Sequence, residues 1–497
     1  MLRAREHDGA STGAIEAAAP AGVEMDVQTF WRNAWRPTDL EESYEITDIE
    51  GEIPRELNGT LFRNGPSQKI QPQEGYEALH LFDGDGLVNA FRFEDGRVSY
   101  QGRFVESPTY LIEQQEGRAC FAFVGVDVPD PSDQALLRQT HNTNIVHHAG
   151  KLMALVENAP PFEIDPKTLG PVGYDDFQGK IFGMSTTAHP KIDGRTGQML
   201  IHGYQPFEPY VQLYVIEPDG TCSLAEPIET PYPVMAHDFA ITENYVVLPL
   251  GPVLMDGERL MNGQPYADTL SWQPEKGLKF AIRPRAAGGQ VQWFEAPNPG
   301  YMFHPGNAYE KDGKIYMDAC TYVDGVAFLD DIKKWRRGEV TPQFGANPFL
   351  YEFDLATGVC RERKLDDRGA EFPRMDDRRM GYENRWGYAV LSRPGDKAGE
   401  PGYPWSRVMK YDRQGGPSAI HDYGRWHWPN EPVFVPRTAT SSEDDGFVVN
   451  YVYDGTDDSS YLAILDAQNM DQPLLAKARL KHRLPQGFHG NFVAGLV

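Results

Sequence analysis

Short strand-like runs broken by acidic–glycine turns recur from about Glu45 to the end of this 497-residue chain, and they constrain its fold more than any other feature. Phe91-Arg92-Phe93 and Arg97-Val98-Ser99-Tyr100 flank Glu94-Asp95-Gly96, a pattern that predicts a tight hairpin. The same grammar returns at Leu213–Ile216 before Pro218-Asp219-Gly220, at Lys311-Asp312-Gly313 before Lys314–Met317, and at Asp445-Gly446 before Phe447-Val448-Val449. Helical periodicity is scarce, and the best helical candidate is short, Asp330 to Arg337, ending at Gly338. Many short strands without strand–helix–strand alternation predict an all-β sandwich, barrel or propeller. Length favours the propeller. Seven four-stranded blades would take about 70 residues each, more than the ~40–50 of compact repeats, and would leave long loops for a cap. No clean repeat is visible, so the blade count does not come from periodicity. Pro252 to Leu278, with Asn262-Gly263, Pro265 and Pro274, reads as one long excursion over the body.

Composition narrows the class of function. The chain carries 47 basic and 72 acidic residues, a formal net charge of −25, which argues against a nucleic-acid partner because phosphate binding needs a basic footprint. Cys120, Cys222, Cys320 and Cys360 form no Cys-x-x-Cys pair and are too few for a disulfide framework, so a reduced, cytoplasmic setting fits best. The first 25 residues are rich in Ala and Gly and lack an apolar core, so residues 1–30 read as a disordered leader and 31–497 as a single propeller domain. No apolar run approaches the ~18 residues of a membrane span, which leaves room for a peripheral membrane contact only.

Four histidines share one local setting: His189 in Thr-Ala-His-Pro, His237 in Met-Ala-His-Asp-Phe, His304 in Met-Phe-His-Pro and His489 in Gly-Phe-His-Gly. Neutral imidazole suits iron, zinc, copper and nickel. The separations are 48, 67 and 185 residues, which no local metal motif has, so a common site must be assembled by the whole fold. A propeller supplies the means, because the inner strands of successive blades face one axis. There are 13 histidines in all, and His147, His148, His421, His427 and His482 are rivals on composition alone. Any one of the four, taken alone, is better explained as a hydrogen-bonded core or turn residue than as a ligand.

A ligating imidazole normally donates its other ring N–H to a carboxylate or carbonyl. Three glutamates stand in apolar, turn-rich settings where a solvated charge is unexpected: Glu157 in Leu-Val-Glu-Asn, Glu371 in Ala-Glu-Phe-Pro and Glu431 in Asn-Glu-Pro-Val-Phe. Three carboxylates one shell out would balance a divalent ion; the plainer reading is that each caps a turn. Asp83-Gly84-Asp85-Gly86 lacks the later ligand positions of a calcium loop and reads as a strand-connecting turn. No nucleophile elbow, dinucleotide fingerprint, Walker loop or His-Glu-x-x-His motif is present.

Together several blocks resemble the carotenoid cleavage oxygenase family, which includes apocarotenoid oxygenases and lignostilbene dioxygenases. They are Asn58–Pro66, Phe82–Gly86, Asn142-Thr143-Asn144, Ala188–Asp193, His237–Thr242, Glu431–Arg437, Glu443–Gly446 and Leu465–Gln468. They run in the family's order over nearly the whole chain from Tyr44. The resemblance implies a seven-bladed β-propeller holding a non-haem Fe(II) on its axis, capped by loops that form a substrate tunnel. It carries the iron ligands onto His189, His237, His304 and His489 and the outer carboxylates onto Glu157, Glu371 and Glu431. It also places at Thr143 a residue that crowds a vacant iron position and helps orient oxygen. The implied reaction is cleavage of a carbon–carbon double bond by O2 into two carbonyl products, with no organic cofactor.

One departure bears on substrate. Members that cleave stilbenes and phenylpropenes are similar in carrying a Lys and a Tyr that bind and ionise a para-phenol. The Lys position falls here on Val156 and the Tyr position near Phe123 or Val124. Burying a phenolate beside Val156 without a cation would be costly, so the expectation is an apolar polyene, a carotenoid or apocarotenoid. Met235–Phe239 and Gly487–Gly490 nonetheless look closest to the stilbene-cleaving branch, which keeps a stilbenoid or phenylpropenoid substrate as the alternative. An isomerohydrolase and a propeller that binds a partner without catalysis are more remote readings.

Overall fold

The computed structural model describes residues 25–70, 81–121, 124, 138–181, 185–262, 264–326, 329–330, 334, 346–393 and 403–497. Seven antiparallel sheets of four to six strands follow one another along the chain as the blades of a β-propeller. Three of the hairpins anticipated from acidic–glycine turns form as expected, whereas Gly446 lies within the strand Gly446–Asp454 and pairs with Pro436. Asp85–Glu94 pairs with Arg97–Phe104, the turn being Asp95 and Gly96 at φ 51° and 73°. Tyr301–Lys311 pairs with Lys314–Tyr322 through Asp312 and Gly313 at φ 52° and 75°. Positive φ at two successive residues matches the twist of a two-residue hairpin, which is why Asp-Gly recurs at these corners.

The ring closes at two places. In the first blade the last strand, Gly490–Ala494, pairs with Gly59–Ser67. In the seventh, the early strand Ile49–Gly51 pairs with Ala476–Arg479. Each end of the propeller is thus stapled by strand pairing to the other. Apolar side chains fill the wedges between sheets. Leu61, Phe91 and Tyr100 of the first blade meet Tyr451, Leu462 and Ile464 of the seventh, and Phe280 and Ile282 of the fourth meet Met317 and Tyr351 of the fifth.

A short helix, Val27–Trp35, lies over one end of the ring. Asp26 caps it, its carboxylate accepting from the Thr29 amide at 2.6 Å. Phe30, Trp31 and Ala34 share its buried face. Phe30 packs 5.9 Å from the Trp428 ring and 5.5 Å from Tyr453. This corrects the leader boundary: residues 27–30, read from composition as disordered, belong to a docked helix, and residues 1–24 lie outside the described residues. The composition of the segment concealed a three-residue buried face, Phe30, Trp31 and Ala34, too short to register as periodicity. The helical candidate Asp330 to Arg337 lies mostly outside the described residues. The Pro252–Leu278 excursion leaves the fourth blade between Tyr245–Leu250 and Lys279–Pro284. It folds as a small ribbon, Val253–Met255 against Leu270–Trp272, with helices Gly257–Met261 and Tyr266–Thr269 between.

Candidate metal centre and its cavity

All seven blades present a polar side chain at the axial end of an inner strand or in the turn leading to it. His489 precedes Gly490–Ala494 of the first blade, Thr143 precedes Asn144–His148 of the second, and His189 precedes Lys191–Ile192 of the third. His237 precedes Ala240–Ile241 of the fourth, and His304 lies within Tyr301–Lys311 of the fifth. Glu371 lies within Ala370–Arg374 of the sixth, and Glu431 precedes Val433–Pro436 of the seventh. Glu157 follows the second strand of the second blade, Lys151–Leu155.

The four imidazoles meet. Ring centroids of His189 lie 4.5 Å from His237, 5.1 Å from His304 and 4.5 Å from His489, and His304 lies 4.9 Å from His489. Nε2 of His189 and of His237 are 2.9 Å apart. His189, His237 and His304 bring ring nitrogens within 4.8 Å of one another, a group that can hold a metal ion.

Three rings are oriented from behind by carboxylates. Nδ1 of His304 lies 2.6 Å from Glu371 Oε2, and Nδ1 of His489 lies 2.9 Å from Glu431 Oε1. His237 Nδ1 touches Glu157 Oε1, though off the line of a good hydrogen bond. A carboxylate behind Nδ1 fixes the proton there and turns the Nε2 lone pair toward the centre. His304 Nε2 is buried with no hydrogen-bond partner among the described residues. Convergent lone pairs of this kind call for a cation, so the donor set fits a transition metal with a preference for imidazole. His189 has no glutamate; the nearest carboxylate, Asp238 Oδ2, is 3.9 Å from its Nδ1, and Lys191 pairs with the other Asp238 oxygen at 2.8 Å.

Burial opposes a charge on His189, His304 and His489. Burial, followed by the neighbouring rings, holds His189 well below its usual range. Burial pushes His489 down to about 3 against the pull of Glu431. At His304 burial also opposes charge, but Glu371 prevails and the ring is raised. Glu431 is buried, yet Arg374, His489 and Arg63 together hold it below the usual carboxylate range. Its Oε2 accepts from Arg63 Nη1 at 2.9 Å and from the Gly490 amide at 3.0 Å.

Above the rings opens a cavity of about 1230 Å³, counting its mouth. Its walls are predominantly apolar and rich in aromatic side chains. Trp31 and Trp35 descend from the cap helix, Trp405 and Trp428 stand 5.8 Å apart, and Phe372 stacks on His304 at 5.3 Å. Val124 and Val156 both line it, as do Tyr266 and Leu270 of the excursion. Phe123 lies outside the described residues. Thr143 reaches the cavity beside His489, its hydroxyl donating to Asn142 Oδ1 at 3.1 Å. In the Asp83–Gly86 turn, Asp85 pairs with Arg138 at 2.8 Å, and Asp83 accepts from the Val124 amide.

The matching family model, described as retinal pigment epithelial membrane protein, covers residues 35–494. The chain belongs to the carotenoid cleavage oxygenase family. It is similar to lignostilbene-alpha,beta-dioxygenase isozyme III of Sphingomonas paucimobilis, 31% identical over 92% of this chain and 95% of that one. It is equally similar to the apocarotenoid-15,15'-oxygenase of Synechocystis, 30% identical over 93% and 96%. Among solved structures, the lignostilbene dioxygenase of Pseudomonas brassicacearum superimposes with a TM-score of 0.82 at 31% identity, covering 93% of this chain and 98% of that one. Within a carotenoid cleavage oxygenase, residues at such separations reach one point because each sits at the same axial level of its own blade. Sequence reasoning had found the histidines and glutamates. It missed the aromatic wall from Trp31, Trp35, Trp405 and Trp428, and the Tyr266 hydroxyl, because these sit on separate elements far apart in the chain and share no local pattern.

The four cysteines are free thiols. Among the described residues no helix is long and apolar enough to cross a membrane.

Proposed function

We propose that His189, His237, His304 and His489 hold one Fe(II), and that the chain uses O2 to split a carbon–carbon double bond of an apolar conjugated alkene, a carotenoid or apocarotenoid, into two carbonyl products. The observation that carries this reading is the convergence of imidazoles from four blades on the floor of an apolar cavity. Bound iron would supply oxygen activation, with positions left open by a four-nitrogen donor set. Glu157, Glu371 and Glu431 hold the proton on Nδ1 of three rings and so keep Nε2 basic. Thr143 narrows the approach from the cavity side. The aromatic walls exclude water and fix which bond of an extended substrate stands over the centre, so positioning sets the selectivity.

The polyene assignment rests on Val124 and Val156, which give the wall no cation to meet a phenolate. A stilbenoid or phenylpropenoid substrate is the second reading, favoured by the Tyr266 hydroxyl on the same wall and by the relatives named lignostilbene dioxygenases. Free thiols accord with a cytoplasmic setting, and an apolar substrate with a shallow membrane contact to collect it.

Metal analysis of purified protein should find about one iron per chain. Incubation of the iron-loaded protein with an apocarotenal and with a hydroxystilbene should yield aldehydes from the former. Aldehyde from the hydroxystilbene alone would transfer the assignment to the second reading, and a chain that never retains iron would support a binding scaffold.

A further inference from the structure

A second cavity, about 1670 Å³ counting its mouth, reaches the same imidazoles. Its place follows from the order of residues along the inner strands. Met235, Phe303 and Phe488 stand one or two positions before axial histidines and line the first cavity. Lys191, Gly306 and Asn491 stand two positions after axial histidines and line the second. The two cavities therefore lie on opposite sides of the imidazole cluster along the propeller axis. They share His304, Phe372 and His489 as a partition; of the two, His237 lines only the first and His189 only the second.

The second cavity differs in chemistry. Basic and acidic side chains line it in equal number, and three of the basic ones are neutralised in place. Lys191 pairs with Asp238 at 2.8 Å, Arg374 with Glu431 at 3.2 Å and Arg378 with Asp376 at 2.6 Å. At the far end Gly194, Thr196, Asp377 and Ala494 are exposed, so the cavity opens to solvent. At the near end stands Asp238, its Oδ2 3.9 Å from Nδ1 of His189. Carboxylates thus mark both ends of the passage.

We infer that this polar cavity is the path by which the ferrous ion reaches and leaves the imidazoles, while the aromatic cavity serves the alkene. The inference rests on the iron-dependent, alkene-cleaving reading and adds a separate entrance to it. A divalent ion crossing the aromatic cavity would shed its water against Trp and Phe side chains that offer it no ligand, at a large cost in free energy. In the polar cavity a hydrated ion keeps its water or exchanges it for carboxylate oxygen, from Asp377 at the mouth to Asp238 beside His189. Two entrances let the metal be gained or lost while an alkene occupies the other side.

The test follows the loss of Fe(II) from the loaded protein to a chromogenic chelator under argon, and its uptake by the stripped protein. Thr196→Cys and Ala494→Cys each place a thiol on the exposed rim of the polar cavity. A bulky maleimide is attached after folding and loading, and the labelled parent protein controls for the native thiols. At least one label should slow release by about tenfold or more and uptake by the same factor, with the iron Kd unchanged, because an obstructed passage alters both directions alike. An alkene in the aromatic cavity, 4-hydroxystilbene or an apocarotenal with occupancy read by tryptophan quenching, should leave the release rate unchanged. Release unaffected by both labels would overturn the inference, and so would release halted by the alkene. A protein that retains no iron, or that neither alkene enters, would instead bring down the reading on which the inference rests.

Discussion

Nδ1 of His304 lies 2.6 Å from Glu371 Oε2 across the seam between the fifth and sixth blades. The contact joins two inner strands, so the carboxylate that orients the ring also holds neighbouring sheets in register. Glu371→Gln keeps the shape but removes the charge that steadies the Nδ1 proton. It should weaken iron retention or turnover by roughly ten- to a hundredfold. Titration of the purified variant with a competing chelator checks the first quantity, and aldehyde production the second. Unchanged values would remove Glu371 from the site.

Glu431 is held by Arg63, which is fully buried and also donates to the Phe488 carbonyl at 2.9 Å. Arg63→Met would leave a buried carboxylate with Arg374, 3.2 Å away, as its remaining cation. Removing one member of a buried pair is strongly destabilising, so a loss of about 3 kcal/mol is expected, read from the shift in the urea midpoint.

Val156 is buried in the cavity wall directly before Glu157. Val156→Lys would place a cation where the stilbene-cleaving branch carries one. The KM for 4-hydroxystilbene should fall by about tenfold, and that for an apocarotenal should rise, since the charge must be desolvated when an apolar chain enters. Parallel steady-state assays on parent and variant decide the matter. A fall in both constants would show that the wall does not discriminate by charge.

His141 supplies a pH dependence separate from the imidazole cluster. It is buried with its ring nitrogens 3.2 Å from the Gln139 and Pro160 carbonyls, and burial pushes it down to about 4. The folded protein therefore binds this proton less readily than the unfolded chain, whose histidine titrates near 6.5. Stability from this group is complete above about pH 6.5 and is lost as pH falls toward 4. The span corresponds to roughly 3 kcal/mol. Denaturation midpoints measured from pH 7 to 4 should drop more steeply for the parent than for His141→Gln.

The fold class and the axial residues were legible in the sequence for different reasons. Asp95-Gly96 and Asp312-Gly313 announce hairpins because positive φ restricts the residues that can sit there. His304 and Glu371 announce themselves because a charged or ligating group among apolar neighbours needs a partner. The cap was not legible. Phe30 and Trp31 lie in a nine-residue helix, too short to show a period, and the helix is stabilised by Trp428 nearly four hundred residues away. Tyr204 ends the strand Met199–Tyr204 of the third blade and Tyr266 begins a helix of the fourth blade's excursion, and no local pattern foretells that two hydroxyls will line up on Glu157. The blade count escaped periodicity because inner strands run from two residues at Lys191–Ile192 to eleven at Tyr301–Lys311.

The strand that locks the ring, Gly490–Ala494, begins one residue after His489. That imidazole therefore reaches the centre only when its own strand pairs with Gly59–Ser67, a segment from the opposite end of the ring. Closure of the circle and completion of the imidazole cluster thus become one event: a ring that has not closed presents three of these side chains in place of four.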